Sequence, residues 1–399
     1  MRRIDLKRAN VARSDTIRSI NRQIVLNYVR ERAPISRAEI AHETALQRST
    51  VSLIVGELME DGLVEEIEGE STGGRPPTLL RLRAAGPVAV GVAVGTTQTI
   101  VATSDLGGRV LEQEEFPTAR NSEEMLGRVI ERIRKLMKGK IRGSIEGIGV
   151  SLPGLVDYET GSALFIPYFK WRDWDVKRAV EDATGLPVVV DNDANAAALA
   201  ELWFGRPEIR EVRDFILVLV EEGLGTGIVF DGQIYRGEAG AAGEFGHMTI
   251  GSAAPVACAS GSRDCWEAFA CERTALARYE KLSRGVGPRQ KVSFPQLIDR
   301  AFGGERAAQT ALLRTAHYLG VGIANLIKGL SPEAVIVGGR IARAWPLIAN
   351  DLKKAVAKSS ICRGLPPPRI NVSSLGEQPQ LMGALSLVLA SKFASVTTA

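Results

Sequence analysis

Residues 36–63 read SRAEIAHETALQRSTVSLIVGELMEDGL, and their pattern predicts two short helices joined by a tight turn. Ser36, followed three residues later by Glu39, forms a capping-box pair: the serine side chain accepts from an orphan amide and the glutamate reaches back. A helix over about 36–43 follows from it. After the turn at 44–46, Val51, Val55 and Leu58 recur at helical spacing and predict a helix over about 47–61, with Gly62 as its left-handed terminator. The outer side of that helix carries Arg48, Ser49, Thr50 and Ser52 in its first turns, the part of a recognition helix that enters a major groove.

Toward the amino terminus, residues 17–32 place Ile17, Ile20, Ile24, Tyr28 and Val29 at helical spacing, which predicts a first helix with one apolar face, stopped by Pro34. Toward the carboxy terminus, 63–67 and 78–82 read as two strands of a hairpin joined through 69–77. Its tip, Gly73-Gly74-Arg75-Pro76, has one bulky side chain, and an extended Gly-Arg-Pro segment with Arg75 suits a narrow, electronegative minor groove. Three helices alone also occur in protein-interaction domains. The charge separates the readings: residues 1–56 carry eleven arginines and lysines against five acids, the footprint of a phosphate-backbone binder. A winged helix-turn-helix over residues 1–85 that binds operator DNA is the expectation.

The whole chain excludes less. Its 399 residues exceed one core and predict two or three units. A hydrophobic share of 45%, with 24% charged residues and a net charge of +4, is ordinary for a globular protein and too weak a bias to argue for nucleic acid by itself. The charged start lacks a signal-peptide core, and no apolar run approaches the roughly 18 residues of a membrane span, so a cytoplasmic location without membrane contact is expected. Four cysteines are too few for a disulfide framework. Cys258, Cys265 and Cys271 instead lie near His247, a spacing that suggests reduced thiols and a metal.

From residue 88 onward, apolar runs at 88–94, 100–104, 145–150, 187–190, 215–220, 227–230 and 334–337 alternate with helical stretches. This predicts an α/β architecture with covered sheets. Residues 91–97 (GVAVGTT) and 223–227 (GLGTG) are glycine-rich turns of the kind that let backbone amides approach phosphate, although such turns also make ordinary hairpins.

Six segments together carry a specific resemblance: GVSLPGLVD at 149–157, DNDANAAALAE at 191–201, GLGTG at 223–227, GEFGH at 243–247, the stretch 258–267, and VGG at 337–339. With them the chain resembles the ROK family of repressors and sugar kinases over nearly its whole length, and the winged helix resembles that of the family's repressor branch. The resemblance implies an actin-like (ribonuclease H-like) two-lobed fold with sugar in the interlobe cleft: a first lobe of residues 86–194 plus 381–399, and a second of 195–380. It implies sugar contacts from Asn192, Asp193, Glu244, His247 and Glu267, with Gly154 approaching by its backbone. Taken singly, Asp191 and Asp193 read as ordinary helix caps, and Glu267 as a first-turn helix charge. As a set, binding is favoured.

In the kinases that the chain resembles, an aspartate stands at the position of Ala93 and a glycine pair follows it. Here Val94-Gly95-Thr96 follows, so the carboxylate and one glycine are missing. Bulky Val229 and Phe230 also take places where further glycines are usual, and are expected to obstruct phosphate. Phosphoryl transfer depends on holding the γ-phosphate and Mg²⁺ in line, so Asp193 is read as a sugar ligand, no residue as catalytic, and no ATP is expected. Zinc in such proteins takes the histidine corresponding to His247 and three cysteines. Here His247, Cys258 and Cys265 remain, while Ser260 replaces the middle thiolate; structural zinc takes four ligands, so a bound zinc and a loop held by packing both stay open. The expected function is a sugar-responsive repressor acting as a homodimer or homotetramer. The rivals are an ATP-dependent sugar kinase of the hexokinase or glucokinase type and a regulator with a vestigial cleft.

Overall fold

A computed structural model describes residues 14–70, 76–138, 144–210, 212–283, 292–358 and 368–394. The chain opens with α1 (Ser14–Arg32), α2 (Arg37–Thr44) and α3 (Arg48–Glu60), then the antiparallel strands β1 (Val64–Glu68) and β2 (Thr78–Leu82). The capping box forms: Ser36 Oγ accepts from the Glu39 amide at 3.2 Å, and the Glu39 carboxylate accepts from the Ser36 amide at 2.8 Å. Val51, Ile54, Val55 and Leu58 of α3 are buried, and Gly62 takes the left-handed φ of 71° that lets the chain turn into β1. Paired backbone bonds between Ile35 and Leu80, at 3.2 and 2.8 Å, fasten the α1–α2 turn to the wing.

The expected apolar face of α1 is displaced. Ile17 and Ile24 are 51% and 37% exposed, whereas Val25, Leu26 and Val29 are buried. Val29 of the expected face is buried as expected, but apolar residues lie on both sides of this helix and packing turned the rest of the buried stripe to Val25 and Leu26.

Beyond the module come β3 (Val88–Val94), β4 (Gln98–Ser104), β5 (Val110–Pro117), α4 (Ser122–Met137) and β6 (Ile145–Leu152). A small antiparallel sheet of β7 (Leu155–Asp157), β8 (Ser162–Ile166) and β9 (Trp171–Asp175) follows, then α5 (Val176–Thr184) and β10 (Val188–Asn192). These build a five-stranded sheet in the order β10-β6-β3-β4-β5, with β10, β6 and β3 parallel. All seven residues of β3 are buried, because Val90, Val92 and Val94 pack with Met125, Val129 and Ile133 of α4, while Ala89 and Ala93 face a helix on the other side. This is the two-sided burial expected of an unbroken apolar strand.

The chain then runs through α6 (Asp193–Phe204), α7 (Pro207–Arg210), β11 (Phe215–Val220), β12 (Leu224–Phe230), β13 (Gln233–Ile234), α8 (Trp266–Ala270) and α9 (Glu272–Leu282). It closes with α10 (Phe294–Phe302), α11 (Arg306–Leu330), β14 (Ala334–Gly338), α12 (Trp345–Lys358), β15 (Arg369–Val372) and α13 (Pro379–Phe393). A second five-stranded sheet has the order β13-β12-β11-β14-β15. The helix covering β3 and β6 is α13: a side chain at Gly91 of β3 would collide with Leu385, and one at Gly149 of β6 with the Ala384 carbonyl, so glycine is what permits the approach. Gly383 of α13 meets Ala196 and Ala197 of α6, and Ala194 and Ala198 of α6 meet Gly227 of β12. Two closely packed helices therefore lie between the two sheets.

Both of those helices also reach the amino-terminal winged-helix module. The Arg30 guanidinium of α1 lies 5.0 Å from the Trp203 ring and 4.7 Å from the Phe393 ring, and Nη1 donates to the Trp203 carbonyl at 3.2 Å. Asn27 Nδ2 donates to the Phe393 carbonyl at 2.7 Å. Trp203 and Phe393 are at the carboxy ends of α6 and α13. Among the described residues, no helix is long and apolar enough to cross a membrane.

Candidate functional site

Where α6 and α13 begin, a cleft of about 890 Å³ opens between the sheets. Gly154, Asn192, Asp193, Glu244, His247 and Glu267 all line it. Local geometry sets each one. Asn192 is the cap of α6: its Oδ1 accepts from the amides of Ala194 and Asn195 at 2.9 and 3.1 Å, as an N-cap does. Its Nδ2 donates to the Gly154 carbonyl at 2.9 Å, which leaves one amide proton for a ligand. Gly154 has a φ of 94°, and a Cβ there would sit 2.5 Å from the Phe165 carbonyl oxygen, so the turn requires glycine.

Asp193 Oδ1 accepts from the Ala194 amide at 2.8 Å. Burial pushes its carboxyl up to about 7, with Glu244 contributing and hydrogen bonds from Ala194 and Gln380 opposing. Such a group exchanges a proton near neutrality and can either donate to or accept from a hydroxyl. Asp191 differs. It is 1% exposed and bonded to Arg236, whose Nη2 and Nε lie 2.7 and 3.0 Å from Oδ2, and Arg236 stacks 3.8 Å from the centre of the Tyr158 ring. Asp191 is thus a buried strut.

Glu244 and His247 lie 3.8 Å apart on one short turn; burial raises the Glu244 carboxyl, against the pull of His247. Glu267 is 5% exposed and braces three segments: Oε1 accepts from the Ala259 amide at 2.8 Å and from Arg273 at 3.2 Å, and Oε2 from the Leu224 amide at 3.3 Å. The wall it supports contains His247, Cys258 and Cys265, whose donor atoms all lie within 4.8 Å of one another. Cys258 Sγ is 2.8 Å from Cys265 Sγ and 2.9 Å from Ser260 Oγ. Burial alone would raise the Cys258 thiol, but hydrogen bonds from Cys265 and Ser260 bring it down to about 7. Cys271 is buried elsewhere, against Thr274.

The cleft continues between the two glycine turns, where no local motif marks the residues involved. Thr96 Oγ1 of the first turn donates to Glu222 of the second at 2.7 Å, a bond across the cleft. Arg340 clasps Glu272 at 2.9 and 2.6 Å and lies 3.6 Å from Glu221. Burial, and then Glu272, push the Glu221 carboxyl upward. None of Arg236, Arg273, Arg340 or Glu222 belongs to a recognisable local motif; each acquires its role from a distant partner. The expected obstruction by Val229 and Phe230 is not found. They occupy the far end of β12, and only 224–226 of that strand line the cleft.

On the DNA-reading module, Arg48, Ser49 and Ser52 are exposed on α3 and Thr50 is half-buried. Arg75 lies outside the described residues. The basic surface is smaller than composition suggests, because Arg18 pairs with Glu57, Arg22 with Asp61 and Arg37 with Glu66. Leu53, 60% exposed beside Ser52, is an apolar group on this outer face that helical periodicity did not single out.

A family model described as ROK family matches residues 89–391, and one described as winged helix-turn-helix DNA-binding matches 18–65. The xylose repressor of Caldicellulosiruptor bescii is 33% identical over 386 residues, covering 94% of this chain and 96% of that protein. The crystal structure of a ROK family transcriptional regulator, a homologue of the Escherichia coli MLC protein, superposes with a TM-score of 0.77 at 26% identity, over 95% of this chain and 97% of that one. A ROK family glucokinase from Streptomyces griseus, solved with glucose and AMPPNP, gives a TM-score of 0.69 at 28% identity over 75% of this chain and 98% of its own.

Proposed function

The chain belongs to the ROK family, and from that premise we propose that it is a sugar-responsive transcriptional repressor whose operator affinity changes when a carbohydrate fills the interlobe cleft. One observation carries the reading: a cleft lined by Asn192, Asp193, Glu244 and His247, side chains able to read hydroxyls, is joined through α6 and α13 to a winged helix in the same chain. Carboxylates and amides that can each donate or accept are what a closed sugar site needs. In this reading Asn192, Asp193, Glu244 and His247 contact hydroxyls, Glu267 holds the wall, and Gly154 orients Asn192. Arg48, Ser49, Thr50 and Ser52 face the major groove, and Arg75 the minor groove. Residues 1–85 read DNA, 86–194 with 381–399 form the first lobe, and 195–380 the second. Paired half-sites call for an even-numbered homo-oligomer.

The proposed coupling is a two-state one. Sugar draws the lobes together over the amino ends of α6 and α13, and their carboxy ends shift Arg30 and Asn27, and with them α1. Operator affinity changes by the sugar's differential affinity for the two arrangements.

His247, Cys258 and Cys265 fit a zinc ion as three of its four customary ligands, with the Ser260 hydroxyl adjacent. Zinc would fix the loop that positions His247 and Ala259, and so the Glu267 brace.

One observation favours the kinase alternative: Asp193, near 7, is matched to general-base work at neutral pH. Against it, Ala93 is buried among apolar side chains and offers no carboxylate, and Glu221 and Glu222 line the place where a nucleotide's phosphates would need cations. A thermal-shift screen of the full chain against aldoses, amino sugars and ATP tests the choice. Stabilisation by a sugar, with no ADP released when ATP is added, is the expected result; sugar-dependent ADP release establishes the kinase.

A further inference from the structure

We infer that the cleft selects an unphosphorylated carbohydrate, and that Glu221 and Glu222 are the residues that reject the phosphate ester of the same sugar. This rests on the carbohydrate reading of the cleft and narrows it to a chemical class. Five carboxylates line the region from the sugar ligands to the glycine turns: Asp193, Glu221, Glu222, Glu244 and Glu267. Two arginines line it as well, and each is already bonded to a carboxylate of the protein. Arg340 is held by both oxygens of Glu272 and faces Glu221 at 3.6 Å. Arg273 donates to Glu267 at 3.2 Å and to the Glu222 carbonyl at 2.8 Å.

Two of the backbone donors that could replace them are also engaged. In the first glycine turn the Gly95 amide donates to the Gln98 carbonyl at 2.9 Å. In the second, the Leu224 amide donates to Glu267 at 3.3 Å. Phosphate sites are made from free amides at such turns or from Arg and Lys side chains; here both arginines and the Leu224 amide already serve carboxylates of the protein, and the Gly95 amide a backbone carbonyl.

Placement makes the exclusion specific. A Cβ at Gly225 would lie 3.9 Å from Asp193 Oδ1, and one at Gly223 would lie 3.0 Å from Glu267 Oε2. A sugar hydroxyl held by Asp193 therefore faces the second glycine turn, which begins directly after Glu221 and Glu222. Glu222 in turn accepts from Thr96 across the cleft, so a charged oxygen already stands in the gap between the two turns. An ester on that hydroxyl would bring a dianion against Glu222, and above pH 8 against Glu221 as well, whose carboxyl burial and Glu272 push up to about 8. A neutral hydroxyl there meets no such repulsion.

Calorimetry on the full chain tests this with xylose, glucose and N-acetylglucosamine as free sugars, and with glucose 6-phosphate and N-acetylglucosamine 6-phosphate as the matched esters of the last two. At least one free sugar should bind, with its ester at least a hundredfold weaker. In Glu222→Gln, and in Glu221→Gln above pH 8 where Glu221 is ionised, the gap should narrow at least tenfold, through tighter ester binding. Glutamine keeps an oxygen to accept from Thr96, and retained affinity for the free sugar reports an intact fold. An ester that binds as tightly as its sugar, or a gap unchanged in both variants, overturns the assignment. Binding of neither form contradicts the carbohydrate reading itself, and the inference falls with it.

Discussion

Asp193 is where the chemistry is most exposed to test. Its carboxyl is raised by burial from 3.8 to about 7, so the folded protein binds this proton more tightly than the unfolded chain. Stability from this group is present below pH 3.8 and is lost as pH rises to about 7. Asp193→Asn should therefore raise the melting temperature of the sugar-free protein at pH 8 and leave it nearly unchanged near pH 4; equal shifts at both would show that burial does not govern the group. The same variant should bind sugar about 10- to 100-fold less tightly by calorimetry, the range for losing one charge-assisted hydrogen bond. A second residue-level expectation concerns the thiol wall. Chelation should remove about one zinc per chain by elemental analysis and weaken sugar binding, and Cys258→Ala should arrive without the metal. Most of these cleft-lining residues were legible because each lies in a compact motif, as in 191–193 or 243–247. Arg340 was not: its partner Glu272 is 68 residues away, and nothing local marks either as half of a pair.

Elements were legible where local signals agreed. The Ser36–Glu39 box, the α3 core positions and the unbroken β3 run each state their environment in a few residues. The face of α1 was not legible, because its competing apolar positions are decided by Asn27 and Arg30 docking on the ends of α13 and α6, up to 366 residues away. The obstruction assigned to Val229 and Phe230 failed for a related reason: position along a strand, not bulk, decides which residues meet the cleft. The α6–α13 contact makes its own prediction. A Cβ at Gly383 would lie 2.6 Å from the Ala196 carbonyl carbon, backbone that cannot yield cheaply. Gly383→Val should cost about 1–3 kcal/mol, the range for overpacking, read as a lower urea midpoint at unchanged slope. An unaffected midpoint would mean that the two helices are not packed as described.

Across the whole molecule, two helices share one beginning and one end: the cleft, and the joint with α1. Their close packing makes them suited to move together. If Arg30 transmits that movement, Arg30→Ala should bind sugar and DNA separately with near-normal affinity while losing at least most of the effect of one on the other; an intact effect would place the coupling elsewhere. The most direct test of the account uses the unmodified full chain. An operator duplex is first recovered by selection from a random library, and its dissociation constant is measured by fluorescence anisotropy at fixed salt, with and without a saturating sugar from the thermal-shift screen. The account predicts a change of at least fivefold, the scale of an ordinary allosteric coupling of about 1 kcal/mol. The same dissociation constant in both conditions, with the sugar demonstrably bound, would contradict it.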